Sequence, residues 1–402
     1  MISCSGAGTW NSTIDLGGAP DGSVPVQVSS VSEPSSVASL TLTKTTMSCP
    51  GGPTTFTTNM NARYVLGQPD FTSNLANRGG PPAANTMNNP MGVVVHNGRL
   101  YVADGNDRVL VFNALPSANG VNADQVIGQA NFNSNVSATS QFNINGIQQI
   151  AVTGNYLAVG EWSSARVSLW PLNNPVSASF VLGQPNFTSN AVNFGGSTTA
   201  QTLGAVAGMA FGGNRLFAGD VSNNRVMMYD PTNFATMMAG INVIGQPDKT
   251  SSAPVVGLNG VQLPYGISTD GTKLAIMDNN NERVLIYNSI PSSDGVSADV
   301  EWGGYGISAT GLNNPVGLFI GGGKLFIADR GSDRVLVFNS IPTGPGVPAD
   351  AVLGQAVFTS QDHNQCNCAT AAANTMWGVH HVYWDGCRLY VTDRQNHRVL
   401  IF

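Results

Sequence analysis

Short apolar runs separated by tight polar turns recur along this chain at a regular spacing. A clear copy is LYVADGNDRVLVF at residues 100–112, in which two apolar runs flank a turn of Asp, Gly and Asn. β-Branched and aromatic residues dominate the runs, so each copy predicts two antiparallel strands joined by a tight turn. The copies lie at residues 100–112, 157–170, 216–229, 274–287, 325–338 and 389–402.

Two further apolar runs accompany most copies. One run precedes each pair, often after Pro or Gly, as in residues 90–96, and a run ending in Gly-Gln follows most pairs, as in residues 126–129. Each repeat therefore predicts four antiparallel strands, which is the pattern of a β-propeller blade. Together the repeats predict an all-β, six-bladed β-propeller of four-stranded antiparallel blades.

The phase of the repeat predicts how the ring closes. A lone copy of the fourth run, YVLGQ at residues 64–68, stands before the first repeat, and the sixth repeat stops at Phe402 directly after its third run. If strand 64–68 pairs with strand 398–402, the sixth blade is completed and an open sheet edge is covered. We therefore assign residues 63–402 to the propeller and residues 1–62 to a Ser/Thr/Pro-rich arm or spacer.

The repeat resembles a known family. DGNDRVLVF (104–112) and DRQNHRVLIF (393–402) resemble the NHL-repeat family of six-bladed β-propellers, and VLGQPNFTS (181–189) is especially similar to its bacterial, secreted or surface type. The resemblance covers residues 63–402 and implies the propeller fold. It implies no single function, because the family includes RNA-binding modules, extracellular sensor domains and a zinc-dependent amidating lyase.

The chain departs from this pattern in two blades. The second blade has Glu161 in place of Asp. The fifth blade is expected to lack the Gly-Gln-Pro segment and to carry EWGGY (301–305) instead.

The most regular polar feature is an acidic residue followed four or five residues later by Arg. One interpretation is a ring of six ligand sites. The other is a structural pair that satisfies turn N–H groups and holds neighbouring segments. We favour the structural interpretation, because a catalytic residue is expected once in a chain and not in every blade. The pairs are Asp104/Arg108, Glu161/Arg166, Asp220/Arg225, Asp278/Arg283, Asp329/Arg334 and Asp393/Arg398.

The charge content narrows the choice of partners. Only 10% of the residues are charged, 17 are Lys or Arg, and the formal net charge is −6, which argues against a nucleic-acid surface. No apolar run approaches the roughly 20 residues of a membrane span. The richness in Ser, Thr, Asn and Gly predicts an extracellular or cell-surface protein of the bacterial periplasm or outer surface, although the first residues do not form an intact signal peptide.

The chain contains five cysteines. Ile2-Ser3-Cys4 resembles the end of a bacterial lipobox, so Cys4 is the lipid-anchor candidate of a lipoprotein and the one expected membrane attachment. The others form an even set of disulfide candidates for an oxidising compartment. A zinc site is the weaker alternative, because the spacing of the third and fourth cysteines is not CxxC. The disulfide candidates are Cys49, Cys366, Cys368 and Cys387.

The cluster WGVHHVYW at residues 377–384 supplies the candidate binding residues Trp377, His380 and His381. Adjacent strand residues point to opposite faces, so the two histidines are poorly placed to share a metal. The alternative interpretation places one histidine at the axial channel and the other between blades. No nucleophile elbow or phosphate loop is present, and we predict no metal, cofactor or catalytic residue. The remaining histidines, scattered along the chain, are His96, His363 and His397.

The long connections between blades carry the functional prediction. Residues 71–89, 132–145, 187–205 and 358–374 are expected on the face of the acid–Arg turns, because strand direction alternates through each blade. Nearly uncharged loops suit a protein or glycan partner. The leading hypothesis is a non-enzymatic binding or assembly module outside the cytoplasm. The alternative is a hydrolase or lyase, metal-dependent or not, with its site in the axial pocket. Self-association through residues 1–62 is a third hypothesis.

Overall fold

The computed structural model describes residues 22–29, 37–44 and 55–402. The chain divides into two compact units, residues 1–50 and residues 51–402.

The first unit contains a two-stranded sheet. Its strands β1 (Gly22–Ser29) and β2 (Val37–Lys44) pair antiparallel over their whole length. The predictions for Cys4 and Cys49 lie outside the described residues.

The second unit is a six-bladed propeller, as predicted. Its strands form four-stranded antiparallel sheets, one for each blade, and we number the blades after the six sequence copies. The sheets are β4–β7, β8–β11, β12–β15, β16–β19, β20–β23, and β24–β26 with β3. The strands are β3 (Tyr64–Leu66), β4 (Gly92–His96), β5 (Arg99–Asp104), β6 (Arg108–Phe112), β7 (Gln125–Ile127), β8 (Ile147–Val152), β9 (Tyr156–Glu161), β10 (Arg166–Pro171), β11 (Phe180–Leu182), β12 (Val206–Gly212), β13 (Arg215–Asp220), β14 (Arg225–Tyr229), β15 (Asn242–Ile244), β16 (Pro264–Thr269), β17 (Leu274–Asp278), β18 (Arg283–Tyr287), β19 (Val300–Gly303), β20 (Pro315–Gly321), β21 (Lys324–Asp329), β22 (Arg334–Phe338), β23 (Ala351–Leu353), β24 (Val379–Trp384), β25 (Leu389–Asp393) and β26 (Arg398–Ile401).

The helices of the described residues are short 3-10 turns in loops and acid–Arg turns. They are Ala76–Gly79, Val192–Gly195, Val221–Asn223, Pro231–Asn233, Asn279–Asn281, Arg330–Ser332, His363–Gln365 and Arg394–Asn396.

The first strands of the blades form a closed inner ring. Each contacts the first strand of the next blade, from β4 through β8, β12, β16 and β20 to β24, which contacts β4 again. Glycine permits this close approach. A Cβ on Gly317 would collide with the carbonyl oxygen of His380 in the neighbouring blade. The six inner strands therefore pack closely against one another around a central axis.

The N-terminal strand closes the ring, which confirms the predicted pairing. β3 is the outer strand of blade six, with Val65 opposite Leu400 and Leu66 opposite Val399. The strand is shorter than the predicted span 64–68. The strand ends because Gly67 has a positive φ of 84° and turns the chain into the long loop that follows.

The assignment of EWGGY to blade five was wrong. Glu301–Gly303 belongs to β19, which pairs with β18 and is the outer strand of blade four. The segment follows the fourth copy of the repeat, so the departure from the Gly-Gln pattern lies in that blade.

The hydrophobic core consists of layers between adjacent blades. In the layer between blades five and six, Phe326 and Trp384 pack around Phe56, with ring centroids 5.3 and 5.5 Å from it. Burying such a side chain contributes about 1.5–3 kcal/mol. Residues from Phe56 onward thus contact the propeller, although the sequence places them in the arm.

Candidate functional site

The acid–Arg pairs lie at the face that carries the long loops, as expected. In each pair the Arg Nε lies 2.7–3.0 Å from a carboxylate oxygen, and both side chains are buried. The remaining donors of each guanidinium bond to loop carbonyls, except that Nη1 of Arg283 bonds to the carboxylate of Glu301 in β19. Arg225, for example, donates to the carbonyls of Lys249 and Thr202, which lie in the loops on either side of its blade. This geometry supports the structural interpretation, because the donors are used inside the protein.

The carboxylate of each pair lies in a buried and strongly polar site. Burial raises the pKa of Asp220. The charge of Arg225 and the hydrogen bonds from Asn223 and from the backbone N–H of Gly204 act in the opposite direction but do not cancel this rise. The acid therefore connects the start of an inner strand to the turn above it.

A left-handed turn residue connects neighbouring blades. It directly precedes the Arg of the pair, and in five blades its side chain accepts an N–H from the next blade. Glu282 accepts from Asn314, and Asn224 from Leu263. Blade two has Ala165 at this position, with φ 47°. The residues that accept are Asp107, Asn224, Glu282, Asp333 and His397.

The glutamine of the Gly-Gln segment anchors the long loop. Gln184 Nε2 donates to the carbonyl of Ala165, in the turn, at 3.0 Å and to that of Ala191, in the loop, at 2.8 Å. In the sequence, this segment indicates only a strand. Its repetition at a fixed position was the available clue to this role. The equivalent residues are Gln68, Gln129, Gln246 and Gln355.

Exposed apolar side chains are concentrated on the long-loop face. Ten large ones are exposed among the described residues, and nine of these lie in loops that follow the fourth strand of a blade. The exception is Val176, which lies on the opposite face. The nine are Leu75, Val136, Phe142, Val192, Phe194, Val256, Leu258, Tyr305 and Val357. We call them the apolar loop set.

Two aromatic residues lie at the axial opening of the same face, which we call the axial mouth. Trp162 follows the acid of blade two, and Tyr265 lies in inner strand β16 of blade four. Their rings stack with centroids 5.8 Å apart and planes 26° apart. Blades two and four are not neighbours, so the stack lies on the axial side of blade three.

Two arginines occupy the position of Trp162 in blades five and six. Arg330 and Arg394 directly follow the acids of those blades, and neither forms a salt bridge with a described carboxylate. Burial lowers the pKa of both guanidinium groups, and the charge of Arg330 lowers that of Arg394 further. Two guanidinium groups without a described salt bridge therefore lie at the axial mouth.

The two histidines of the candidate cluster form hydrogen bonds between blade six and blade one. His380 Nδ1 donates to the carbonyl of Met91 at 2.8 Å, and His381 Nδ1 accepts the N–H of Val93 at 3.3 Å. Burial lowers the pKa of His380 to about 3 and that of His381 to about 4. Both histidines are thus neutral at pH 7. They form hydrogen bonds with backbone groups at the start of β4, on the edge of that strand that pairs with no other strand.

The structure does not bring Trp377 into one site with these histidines. Its ring stacks on His363 of the preceding loop, with centroids 4.6 Å apart. His397 accepts the N–H of Asn89. Across the described ranges, no group of three or more His, Cys, Asp or Glu side chains is arranged to hold a metal.

The cysteine predictions are met in part. Cys366 and Cys368 are bonded to each other, and Cys387 is also disulfide-bonded. No described helix is long and apolar enough to cross a membrane.

The likenesses of this chain to known proteins are distant. No family model and no curated protein matches the chain. A protein of unknown function from Bacteroides thetaiotaomicron is 12% identical with a TM-score of 0.49, covering 85% of this chain and 75% of that one. Virginiamycin B lyase from Staphylococcus aureus is 11% identical with a TM-score of 0.43, covering 79% and 96%. A nidogen/laminin complex is 12% identical with a TM-score of 0.39, covering 62% and 75%. These values carry no argument about ligand or activity.

Proposed function

We propose that this protein is a non-enzymatic binding module outside the cytoplasm, which uses its long-loop face to dock a partner protein. The observation that carries the proposal is the apolar loop set: among the described residues, nine exposed large apolar side chains lie on one face and one lies on the other. The nine are distributed over the long loops of all six blades, and concentration of exposed apolar surface on one face is typical of an interaction surface. The Cys366–Cys368 bond supports an oxidising compartment.

The loops are anchored before any partner arrives. The Arg of each pair bonds the loops to the blades, and so do, in five blades each, the turn residue before it and the glutamine. A surface held in place loses less conformational entropy on binding than a mobile one. The apolar loop set is therefore suited to form a specific interface.

The chemistry of the set favours protein over glycan. Most of its members are Val or Leu, such as Val136, Val256 and Leu75. Aliphatic side chains gain from burial against other apolar groups, whereas a sugar offers mainly hydroxyls. A lyase of the amidating type needs several histidines from different blades, but His380, His381 and His397 bond to backbone groups of β4 and the loop before it.

A peptide-display selection on the full chain tests the proposal. Selected peptides should bind the wild type, and Phe142→Asp or Leu75→Asp should weaken binding at least tenfold. Val176→Asp is the matched control, since this exposed valine lies on the opposite face, and it should have no effect. Peptides insensitive to both loop variants, or binders found on a glycan array but not in the peptide library, would contradict docking of a protein there.

A further inference from the structure

Arg330 and Arg394 are unlike the six arginines of the repeated pairs. Each paired Arg bonds to an acid and to loop carbonyls, as Arg334 does with Asp329 and Gly311. Arg330, in contrast, donates one described bond, from Nη2 to Asn314 Oδ1 at 3.1 Å. In the described part of the chain, the buried Nε of Arg394 has no hydrogen-bond partner.

No described acid nearby is free to neutralise these two charges. Asp329 and Asp393 are bound to Arg334 and Arg398. The carboxylates of Asp333 and Glu282 accept the backbone N–H groups of Gly378 and Asn314, and neither forms a salt bridge with Arg330 or Arg394. Two neighbouring cations that are half removed from water and lack a counter-ion are unfavourable. An arrangement of this kind is expected where an anion binds.

The aromatic stack supplies a second kind of surface beside the charges. Arg330 lies close enough to Tyr265 for its charge to lower the pKa of that phenol, although burial raises it more. Trp162 and Tyr265 remain partly exposed. A flat apolar surface beside the guanidinium of Arg330, which itself neighbours Arg394, suits a ring that carries a negative group.

We propose that the axial mouth binds a carboxylate or phosphate group attached to an aromatic ring. Arg330 and Arg394 bind the oxygens, because planar guanidinium donors match both kinds of group. Trp162 and Tyr265 contact the ring. This site goes beyond the proposed docking face. Its residues are distinct from the apolar loop set, so either proposal can fail without the other.

Small probes test the site on the full chain. Benzoate, phenyl phosphate, acetate and inorganic phosphate are titrated at constant ionic strength, with benzamide as the uncharged match of benzoate. Binding is followed by calorimetry and by tryptophan fluorescence. Benzoate or phenyl phosphate should bind at least tenfold more tightly than benzamide and than the corresponding ion without a ring. Whichever of the two binds more tightly identifies the anion class.

Variants locate the binding. Arg330→Gln and Arg394→Gln should each weaken binding of the aromatic anion at least tenfold, and Trp162→Leu should weaken it and reduce the fluorescence change. Arg215→Gln is the control, because this arginine starts β13 on the opposite face. It should bind like the wild type. The melting temperature should stay equal or rise in both axial variants, since an unpaired charge is removed.

Three results would overturn the proposal. Equal binding of benzamide and benzoate would remove the role of charge. Equal binding of acetate and benzoate, and of phosphate and phenyl phosphate, would remove the role of the aromatic stack. Unchanged binding in the Arg330→Gln/Arg394→Gln double variant would place any anion site elsewhere.

Discussion

At the scale of single residues, similar sequence contexts lead to different roles. Asp329-Arg330 and Asp393-Arg394 are adjacent pairs in the sequence, yet each acid binds the Arg five positions later. The six repeated pairs are predictable because they recur in every blade at a spacing of four or five residues. The two axial arginines were missed because the sequence does not show which turn side chains meet at the axis. They add positive charge to a face whose long loops are nearly uncharged.

The repeated Arg is expected to contribute strongly to stability. Arg225→Leu leaves the carboxylate of Asp220 buried without its counter-ion, which should lower the free energy of unfolding by about 3–5 kcal/mol. Urea unfolding measures this. Arg215→Leu, which removes an arginine bonded to an exposed backbone carbonyl, should change stability by less than about 0.5 kcal/mol. Equal losses in the two variants would contradict the structural role of the pair.

The buried histidines predict a loss of stability in acid. Unfolding returns His380 and His381 from pKa values of about 3 and about 4 to the ordinary 6.5. Below pH 6.5 these two side chains therefore bind more protons in the unfolded chain than in the native one, so their contribution to the free energy of unfolding falls as pH falls toward 4. Each histidine contributes up to about 1.4 kcal/mol per pH unit.

Asp333 opposes this trend. Burial raises its pKa to about 7, so between pH 7 and 3.8 the native state gains stability as pH falls. Urea midpoints from pH 7 to 4.5 should show a flatter dependence for His381→Asn and a steeper one for Asp333→Asn. A profile unchanged by both substitutions would show that neither group titrates as described.

At the scale of elements, the sequence predicts strands well and their anchors poorly. The alternation of apolar and polar residues predicted four strands per blade, and these formed. The boundary after β3 differed because Gly67 turns the chain. The backbone N–H of Asn314, for example, donates to the carboxylate of Glu282, and these residues lie 32 positions apart in different blades. Local pattern carries no information about such contacts.

The glutamine anchor makes a testable prediction for one loop. Gln184→Leu removes the bonds from the side chain to the carbonyls of Ala165 and Ala191. Hydrogen exchange should become faster in residues 187–205 than in the other loops, with a stability loss of about 1–3 kcal/mol. Gln201→Leu, at an exposed position of the same loop, is the control. Unchanged exchange in Gln184→Leu would refute the anchoring role.

At the scale of the whole molecule, the closed ring places all long loops on one face. Alternating strand direction was enough to predict that the loops share the face of the acid–Arg turns. Which loop residues stay exposed was not predictable, because Phe71 packs inward while Phe142 is 59% exposed. The long-loop face and the axial mouth are both formed only if the ring is closed.

The oxidation state of the cysteines tests whether the protein resides in an oxidising compartment. Non-reducing peptide mapping of protein from its native source should recover Cys366 bonded to Cys368, and Cys387 in oxidised form. Free thiols at these positions would contradict an oxidising compartment.

Ring closure is tested most directly by a cross-link between β3 and β26. Val65 and Leu400 are buried and directly opposite each other, a distance that a disulfide spans. The Val65→Cys/Leu400→Cys variant should form that bond in the folded, full-length chain, identified by mass spectrometry. Leu285 occupies the equivalent position in blade four, so Val65→Cys/Leu285→Cys should not form it. Absence of the first bond, or formation of both, would contradict the closed six-bladed ring.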